Sequence, residues 1–178
     1  MIVANTKENK DIQPQIYIAC LASYNNGILH GAWIVPSNDE EELQKQINAI
    51  LKTSKQPYAE EWAVHDYNHF PDLGEYPGIE NICKVQNAIE QYDYELINAY
   101  LQYNNDIDSL GDIEDSYIGE YDSFQEYADQ YLMDCDEFHI IPDHLQYYFD
   151  YEKYARELQH DYYVVESNSH TVFIFSNF

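Results

Sequence analysis

The segment that decides the fold, Val85–Glu152, reads VQNAIEQYDYELINAYLQYNNDIDSLGDIEDSYIGEYDSFQEYADQYLMDCDEFHIIPDHLQYYFDYE. It contains no lysine and no arginine, whereas eighteen of its residues are aspartate or glutamate. Tyrosine, isoleucine, leucine and phenylalanine recur between the acids at spacings that predict helices and strands rather than a disordered tail. Because like charges repel one another in the compact state, such a surface destabilises the fold. We therefore expect the surface to have a function.

The composition of the whole chain narrows the class of protein. Its 178 residues are 45% hydrophobic and 16% aromatic, which is enough for a folded core. The net charge of −25 has the opposite sign to that of a nucleic-acid-binding protein. Anionic membranes would repel a protein of this charge. The partners expected of this charge are cations or proteins with basic clefts. We predict neither direct binding of nucleic acid nor association with a membrane.

The cysteines and residues 1–15 indicate the cellular compartment of the protein. The three cysteines, Cys20, Cys83 and Cys135, form no CxxC motif, which favours a reducing compartment over a disulfide scaffold. Residues 1–15 are polar and contain no apolar stretch typical of a signal peptide. No apolar run reaches the roughly 20 residues of a membrane span. We expect a soluble cytoplasmic protein.

The N-terminal part predicts a β-hairpin, a helix and a third strand. Residues 16–23 (IYIACLAS) and 28–34 (ILHGAWI) are strand-like and flank Asn26-Gly27, a strong signal for a two-residue hairpin turn. Ser37-x-x-Glu40 predicts a capping box at the start of a helix with one apolar face. A third strand is predicted over residues 61–67. The apolar face consists of Leu43, Ile47, Ile50 and Leu51.

Proline and glycine at residues 71–78 predict a boundary, after which short helices are expected over residues 79–91 and 93–103, then a loop over 104–111. Residues 116–121 resemble a strand, and Ser123-x-x-Glu126 predicts a second capping box. One helical face is predicted to hold Phe124, Tyr127, Ala128, Tyr131, Leu132 and Cys135. A further helical pattern runs from Pro142 to Leu158, and strands are expected over residues 162–166 and 171–175. The fold class is therefore α+β.

Sequence patterns give little support to metal or enzyme chemistry. Asp106-x-Asp108 imitates the start of a calcium loop, but Leu110 and Tyr117 occupy positions where an EF-hand needs oxygen ligands. His65 and His69 would leave a zinc site two ligands short. Nucleotide-binding and nucleophile motifs are missing from the sequence. We predict no cofactor, no metal and no catalytic residue.

The acid pattern favours imitation of DNA. Duplex DNA carries one charge per about 1.7 Å, so 25 charges correspond to roughly 40 Å of duplex. Carboxylates three or four residues apart on a helix are about 5–6 Å apart, which is comparable with the spacing along a phosphate backbone. Two alternatives remain open. One is an acidic interaction module that inhibits another DNA-binding protein, and the other is a cation-binding protein.

Four blocks of the sequence resemble the ArdA family of antirestriction proteins. They are IYIACLASYNNGILHGAWI (16–34), EEWAVHDYNHFPDLGEY (60–76), YIGEYDSFQEYADQY (117–131) and IPDHLQYYFDYEKYARELQHD (141–161). The resemblance implies an elongated, curved protein of three small domains that dimerises through its C-terminal part. It also implies that the protein mimics bent DNA, inhibits type I restriction–modification enzymes stoichiometrically, and is encoded on a mobile genetic element.

The resemblance and the residue pattern together give a domain division and a set of site residues. We expect a flexible lead-in (residues 1–14), an N-terminal α+β domain (15–70), a central bundle of short helices (71–105) and a C-terminal α+β domain (106–178). The resemblance places the family's antirestriction motif on the predicted helix from Phe124 to Glu137, and we expect Phe124, Tyr127 and Tyr131 to support the dimer. The expected acidic surface consists of Asp93, Glu95, Asp106, Asp108, Asp112, Glu114, Asp115, Glu120, Asp122, Glu126, Asp129, Asp134, Asp136 and Glu137.

Overall fold

The computed structural model describes residues 13–177, with the side chains of Asp136 and Glu137 excepted. Most of the predicted lead-in, residues 1–12, lies outside the described residues. The contacts of the chain separate two compact units, one ending at Gly111 and the other beginning at Asp112. We call them the N-terminal and C-terminal units. Each combines helices with a small antiparallel sheet, so the predicted α+β class is confirmed.

The N-terminal unit is built on a three-stranded antiparallel sheet of order β2-β1-β3. Its inner residues, among them Ile16, Ile18 and Val64, are buried against the second helix of the unit. The strands and the helices between them are β1 (Gln15–Cys20), α1 (Leu21–Tyr24), β2 (Gly31–Ile34), α2 (Glu40–Lys52) and β3 (Trp62–Asn68).

The predicted two-residue hairpin turn at Asn26-Gly27 is wrong. β1 and β2 do pair, but residues 21–30 connect them and begin with α1. The Gly27 N–H donates to Tyr24 O at 2.9 Å, and the Ile28 N–H donates to Ser23 O at 3.0 Å. These two bonds and the positive φ of Gly27, 71°, form a Schellman motif, so the glycine ends a helix instead of turning a hairpin.

Helix α2 lies on the sheet through the predicted apolar residues Leu43, Ile47 and Leu51. The predicted cap at Ser37 is wrong, because the Asp39 carboxylate accepts the Glu42 N–H at 2.9 Å and the helix begins at Glu40. The short aspartate side chain reaches the free N–H groups of the first turn directly.

The two central helices are confirmed as α3 (Ile79–Gln91) and α4 (Tyr94–Asn104). Gly78 precedes α3 with a φ of 77°, and the Asp93 carboxylate caps α4 by accepting the Glu95 N–H at 2.8 Å. Instead of the predicted loop, a 3₁₀ helix covers Ile107–Asp112, where the Tyr100 hydroxyl donates to Ser109 O at 3.0 Å.

The C-terminal unit packs two helices on a sheet of order β4-β6-β5. Its core cluster joins Phe124, Tyr127 and Ala128 of one helix to Ala155 of the other and to Ile174 of the central strand. The elements are α5 (Ile113–Ser116), β4 (Tyr117–Tyr121), α6 (Phe124–Asp134), α7 (Asp136–His139), α8 (Asp143–Gln146), α9 (Tyr151–Leu158), a 3₁₀ turn (Gln159–Asp161), β5 (Tyr162–Glu166) and β6 (Val172–Ser176).

The helix predicted from Pro142 to Leu158 is two helices, α8 and α9. The Asp150 carboxylate accepts the Lys153 N–H at 2.9 Å and so starts α9 afresh. The three strands predicted for this part of the chain are confirmed, and no bound differs by more than one residue.

Candidate acidic recognition surface

Negative charge is concentrated in the C-terminal unit. Residues 112–178 contain sixteen acids and two basic residues, a net charge of −14. Residues 1–111 contain seventeen acids and six basic residues, a net charge of −11. The C-terminal unit is the smaller of the two, so it has the higher charge density.

The predicted acids are mostly exposed. Eight of the twelve whose side chains the structure describes are exposed, namely Asp106, Asp108, Asp112, Glu114, Asp115, Glu120, Asp122 and Asp134. Asp93, Glu95, Glu126 and Asp129 are half-buried. The side chains of Asp136 and Glu137 lie outside the described residues.

The second predicted capping box, at the start of α6, is present with one change. The Ser123 hydroxyl accepts the Glu126 N–H at 3.2 Å. The Glu126 carboxylate reaches back to the N–H of Asp122 at 2.9 Å, one residue before the cap itself. Glu126 is thereby fixed at the helix N-terminus, where the macrodipole favours a negative charge.

Two glutamine amides hold the carboxylates of α6. The Gln130 amide donates to Glu126 at 3.3 Å, and the Gln125 amide donates to Asp129 at 2.8 Å. The Gln125 amide is also 3.3 Å from Tyr151 O at the start of α9, so it is tied to a second helix. These donors are neutral, and they therefore orient the carboxylates without cancelling their charge. Sequence analysis missed this pairing, although the i, i+4 spacing of glutamine and acid is visible in the sequence.

Neutral donors hold other acids in the same way. The Asn38 and Gln86 amides donate to Glu90 at 2.7 and 3.1 Å. The Thr171 hydroxyl donates to Glu120 across the C-terminal sheet. The carboxylates so held keep their full charge and a defined position.

One predicted surface acid is neutralised instead. Lys84 lies 2.6 Å from both Glu80 and Asp108, and hydrogen bonding to Asp108 and then to Glu80 raises the pKa of Lys84. The Asp106 carboxylate accepts the Asp108 N–H at 3.0 Å, which shapes the start of the 3₁₀ helix. The Asp106–Asp108 pair therefore has a structural explanation that requires no calcium ion.

Among the residues that the structure describes, no group of three or more His, Cys, Asp or Glu side chains could hold a metal ion. The His65 ring packs edge-on against Tyr24, with centroids 4.7 Å apart, and the His69 ring packs against Tyr94 at 5.6 Å. Both histidines thus pack against aromatic rings.

The three aromatic residues predicted for one face of α6 do share it, with Phe124 and Tyr131 at 5.6 and 6.0 Å from the Tyr127 ring, but they differ in exposure. Phe124 and Tyr127 are buried, and the Tyr127 ring lies 5.1 Å from Tyr121 and 5.2 Å from Tyr162. Burial, together with hydrogen bonding to Tyr162, raises the pKa of Tyr127. Tyr131 is 42% exposed and so lies at the edge of this face, outside the core. The core cluster leaves out Tyr131, because Phe124, Tyr127 and Ala128 make the contact with the sheet and α9.

Across residues 13–177, the structure contains no helix that is long and apolar enough to span a bilayer. A search of curated proteins finds no match to the chain. The family model described as antirestriction protein (ArdA) matches residues 16–172 and so spans both units. With its acidic surface and this match over nearly its whole length, the chain belongs to the ArdA family of antirestriction proteins.

Proposed function

We propose that this protein is a stoichiometric inhibitor that occupies the DNA-binding cleft of type I restriction–modification enzymes. The observation that carries the proposal is the C-terminal unit, with sixteen acids, two basic residues and carboxylates held by neutral donors. The family match supports antirestriction as the biological role. Carboxylates would take the places of phosphates, and no covalent step, metal or cofactor is required.

The driving force is the release of counterions. A cleft that binds DNA carries lysine and arginine with their own anions, and a protein of charge −25 displaces those anions as DNA does. Seven exposed acids between Asp106 and Asp134, those other than Asp108, provide the contacts, and the half-buried Glu126 and Asp129 add two oriented carboxylates. A single Asp→Asn change should have little effect because the charge is shared over many side chains.

The proposal includes an architecture taken from the family. In it, three small domains (residues 15–70, 71–105 and 106–178) form an elongated, curved rod, and two copies join near α6 to double its length. Of the three aromatic residues assigned to that contact, Tyr131 is the exposed one, whereas Phe124 and Tyr127 would act by supporting the helix. The protein would act in the cytoplasm of a cell that receives foreign DNA.

A competition assay tests the proposal. A purified type I enzyme and its DNA are mixed with increasing amounts of the protein, and the fraction of DNA bound is measured. We expect DNA binding to fall to background near one protein dimer per DNA-binding site of the enzyme. The affinity of the protein for the enzyme should fall steeply as the salt concentration rises. An enzyme that keeps its DNA at a large excess of the protein would refute the proposal.

A further inference from the structure

Most residues between Phe138 and Tyr151 in the C-terminal unit are exposed. The ends of this segment meet in an aromatic cluster, in which the buried Phe138 ring is 5.2 Å from Phe149 and 6.1 Å from Tyr151. The Phe149 and Tyr151 rings are 5.1 Å apart. A surface segment whose ends are close and packed by its own side chains is a compact Ω-loop. We call residues 139–148 the Ω-segment.

The Ω-segment exposes four large apolar side chains. Tyr147 is 86% exposed, Tyr148 79%, Ile140 79% and Leu145 48%. The two tyrosine rings stand perpendicular, with centroids 5.5 Å apart, and the Tyr148 N–H donates to Leu145 O at 3.0 Å. The two tyrosines therefore form one feature, and Leu145 lies in the turn just before them. Adjacent large apolar side chains on a compact surface segment mark an interaction surface, whereas scattered single ones do not.

The surrounding charges indicate what kind of partner fits. Exposed carboxylates lie before the Ω-segment at Asp134, within it at Asp143 and after it at Asp150. Lysine and arginine do not occur anywhere from Val85 to Glu152. The face of a tyrosine ring attracts a cation within about 6 Å of its centroid. Aromatic rings bordered by carboxylates are complementary to a basic protein surface.

The same charges disfavour a second copy of this chain as the partner at this place. Docking two Ω-segments face to face would bring Asp143 of both copies together, and the segment contains no lysine or arginine to compensate. DNA and anionic membranes would be repelled for the same reason.

Resting on the proposed function, we propose that Tyr147 and Tyr148 form an aromatic anchor that packs against arginine or lysine side chains of the inhibited enzyme's DNA-binding surface. The carboxylates supply the part of the affinity that depends on salt. The anchor adds a part that depends on ring contact and is insensitive to salt.

The test measures binding of the full chain to a purified type I restriction–modification enzyme over a range of salt concentrations. The Tyr147→Ser/Tyr148→Ser variant should bind roughly fivefold to thirtyfold more weakly at every salt concentration, with an unchanged slope of log K against log[salt]. Tyr147→Phe/Tyr148→Phe keeps both rings and should bind like the wild type. Tyr58→Ser is the matched control, since Tyr58 is 89% exposed but lies in the N-terminal unit.

Three results would overturn the inference. In the first, the wild type binds the enzyme and the double serine variant binds equally well. In the second, the serine variant converts a dimer to a monomer in sedimentation equilibrium, which would assign the tyrosines to self-association. In the third, the wild type itself does not bind, and that result refutes the proposed function as well. Circular dichroism checks the fold of each variant. The single variant Tyr147→Ser should lose less affinity for the enzyme than the double serine variant.

Discussion

At the scale of single residues, neutral amides take the place that lysine or arginine usually has beside a carboxylate. The Gln125 and Gln130 amides hold Asp129 and Glu126 on α6, whereas Lys84 neutralises Asp108 in the N-terminal unit. The first arrangement fixes geometry and keeps the charge. The second, the Lys84–Asp108 ion pair, stabilises local structure and offsets the negative charge of Asp108. Inhibition should therefore depend on the glutamines even though they carry no charge.

Replacing Gln125 and Gln130 with alanine tests this dependence. An immobilised side chain saves about 0.5–1.5 kcal/mol of ordering on binding, so the double variant, which loosens two carboxylates at once, should inhibit roughly twofold to tenfold less well. The net charge and the salt slope should not change. Gln159→Ala is the control, since Gln159 is an exposed glutamine of the same unit. Variants that inhibit as strongly as the wild type would show that charge alone is sufficient.

A second prediction at this scale concerns Cys83. Burial, followed by the charges of Glu40 and Asp39, raises the pKa of the Cys83 thiol from its ordinary value of 9.0 to about 11. Below pH 9 the thiol is protonated in both the folded and the unfolded state. Above pH 9 the unfolded state loses the proton first, so stability falls as pH rises from 9 to 11. Urea unfolding across this range should show the loss, and it should be smaller in Cys83→Ala.

At the scale of elements, the periodic segments could be predicted from sequence and the connections could not. The helices over residues 79–91 and 124–134 follow from apolar residues at helical spacing. Asn26-Gly27 supports either a hairpin turn or a helix end, and the bonds to Ser23 and Tyr24 that decide between them depend on the preceding backbone. Tyr131 shares the predicted face with Tyr127 but is exposed, because the helical period does not say how wide the buried part of a face is. The exposed Ω-segment was missed because its tyrosines resemble core residues in sequence.

Two alanine substitutions on α6 test whether Tyr127 is buried and Tyr131 is exposed. Tyr127→Ala removes a buried ring from the core and should lower the free energy of unfolding by about 3–5 kcal/mol. Tyr131→Ala changes an exposed side chain and should stay within about 1 kcal/mol of the wild type. Urea denaturation measures both. Equal losses would contradict the burial described for the two residues.

At the scale of the whole molecule, a charge of −25 on 178 residues destabilises the folded state by self-repulsion. Salt screens this repulsion within a Debye length of about 10 Å at 0.1 M. We expect the thermal midpoint to rise by several degrees between roughly 0.01 and 0.3 M NaCl, while affinity for the enzyme falls over the same range. A neutral osmolyte at equal osmolality is the control. A midpoint that does not move with salt would mean that the acids are already compensated in the fold.

The amide donors on α6 also make the surface vulnerable to one slow covalent change. Hydrolysis of the Gln125 or Gln130 side-chain amide would turn a donor into a glutamate, four residues from Asp129 in one case and from Glu126 in the other. A hydrogen bond would become a repulsion between like charges on adjacent helical turns. An aged preparation would thus become more acidic and yet a poorer inhibitor. Loss of activity with time could then be followed as a gain of negative charge.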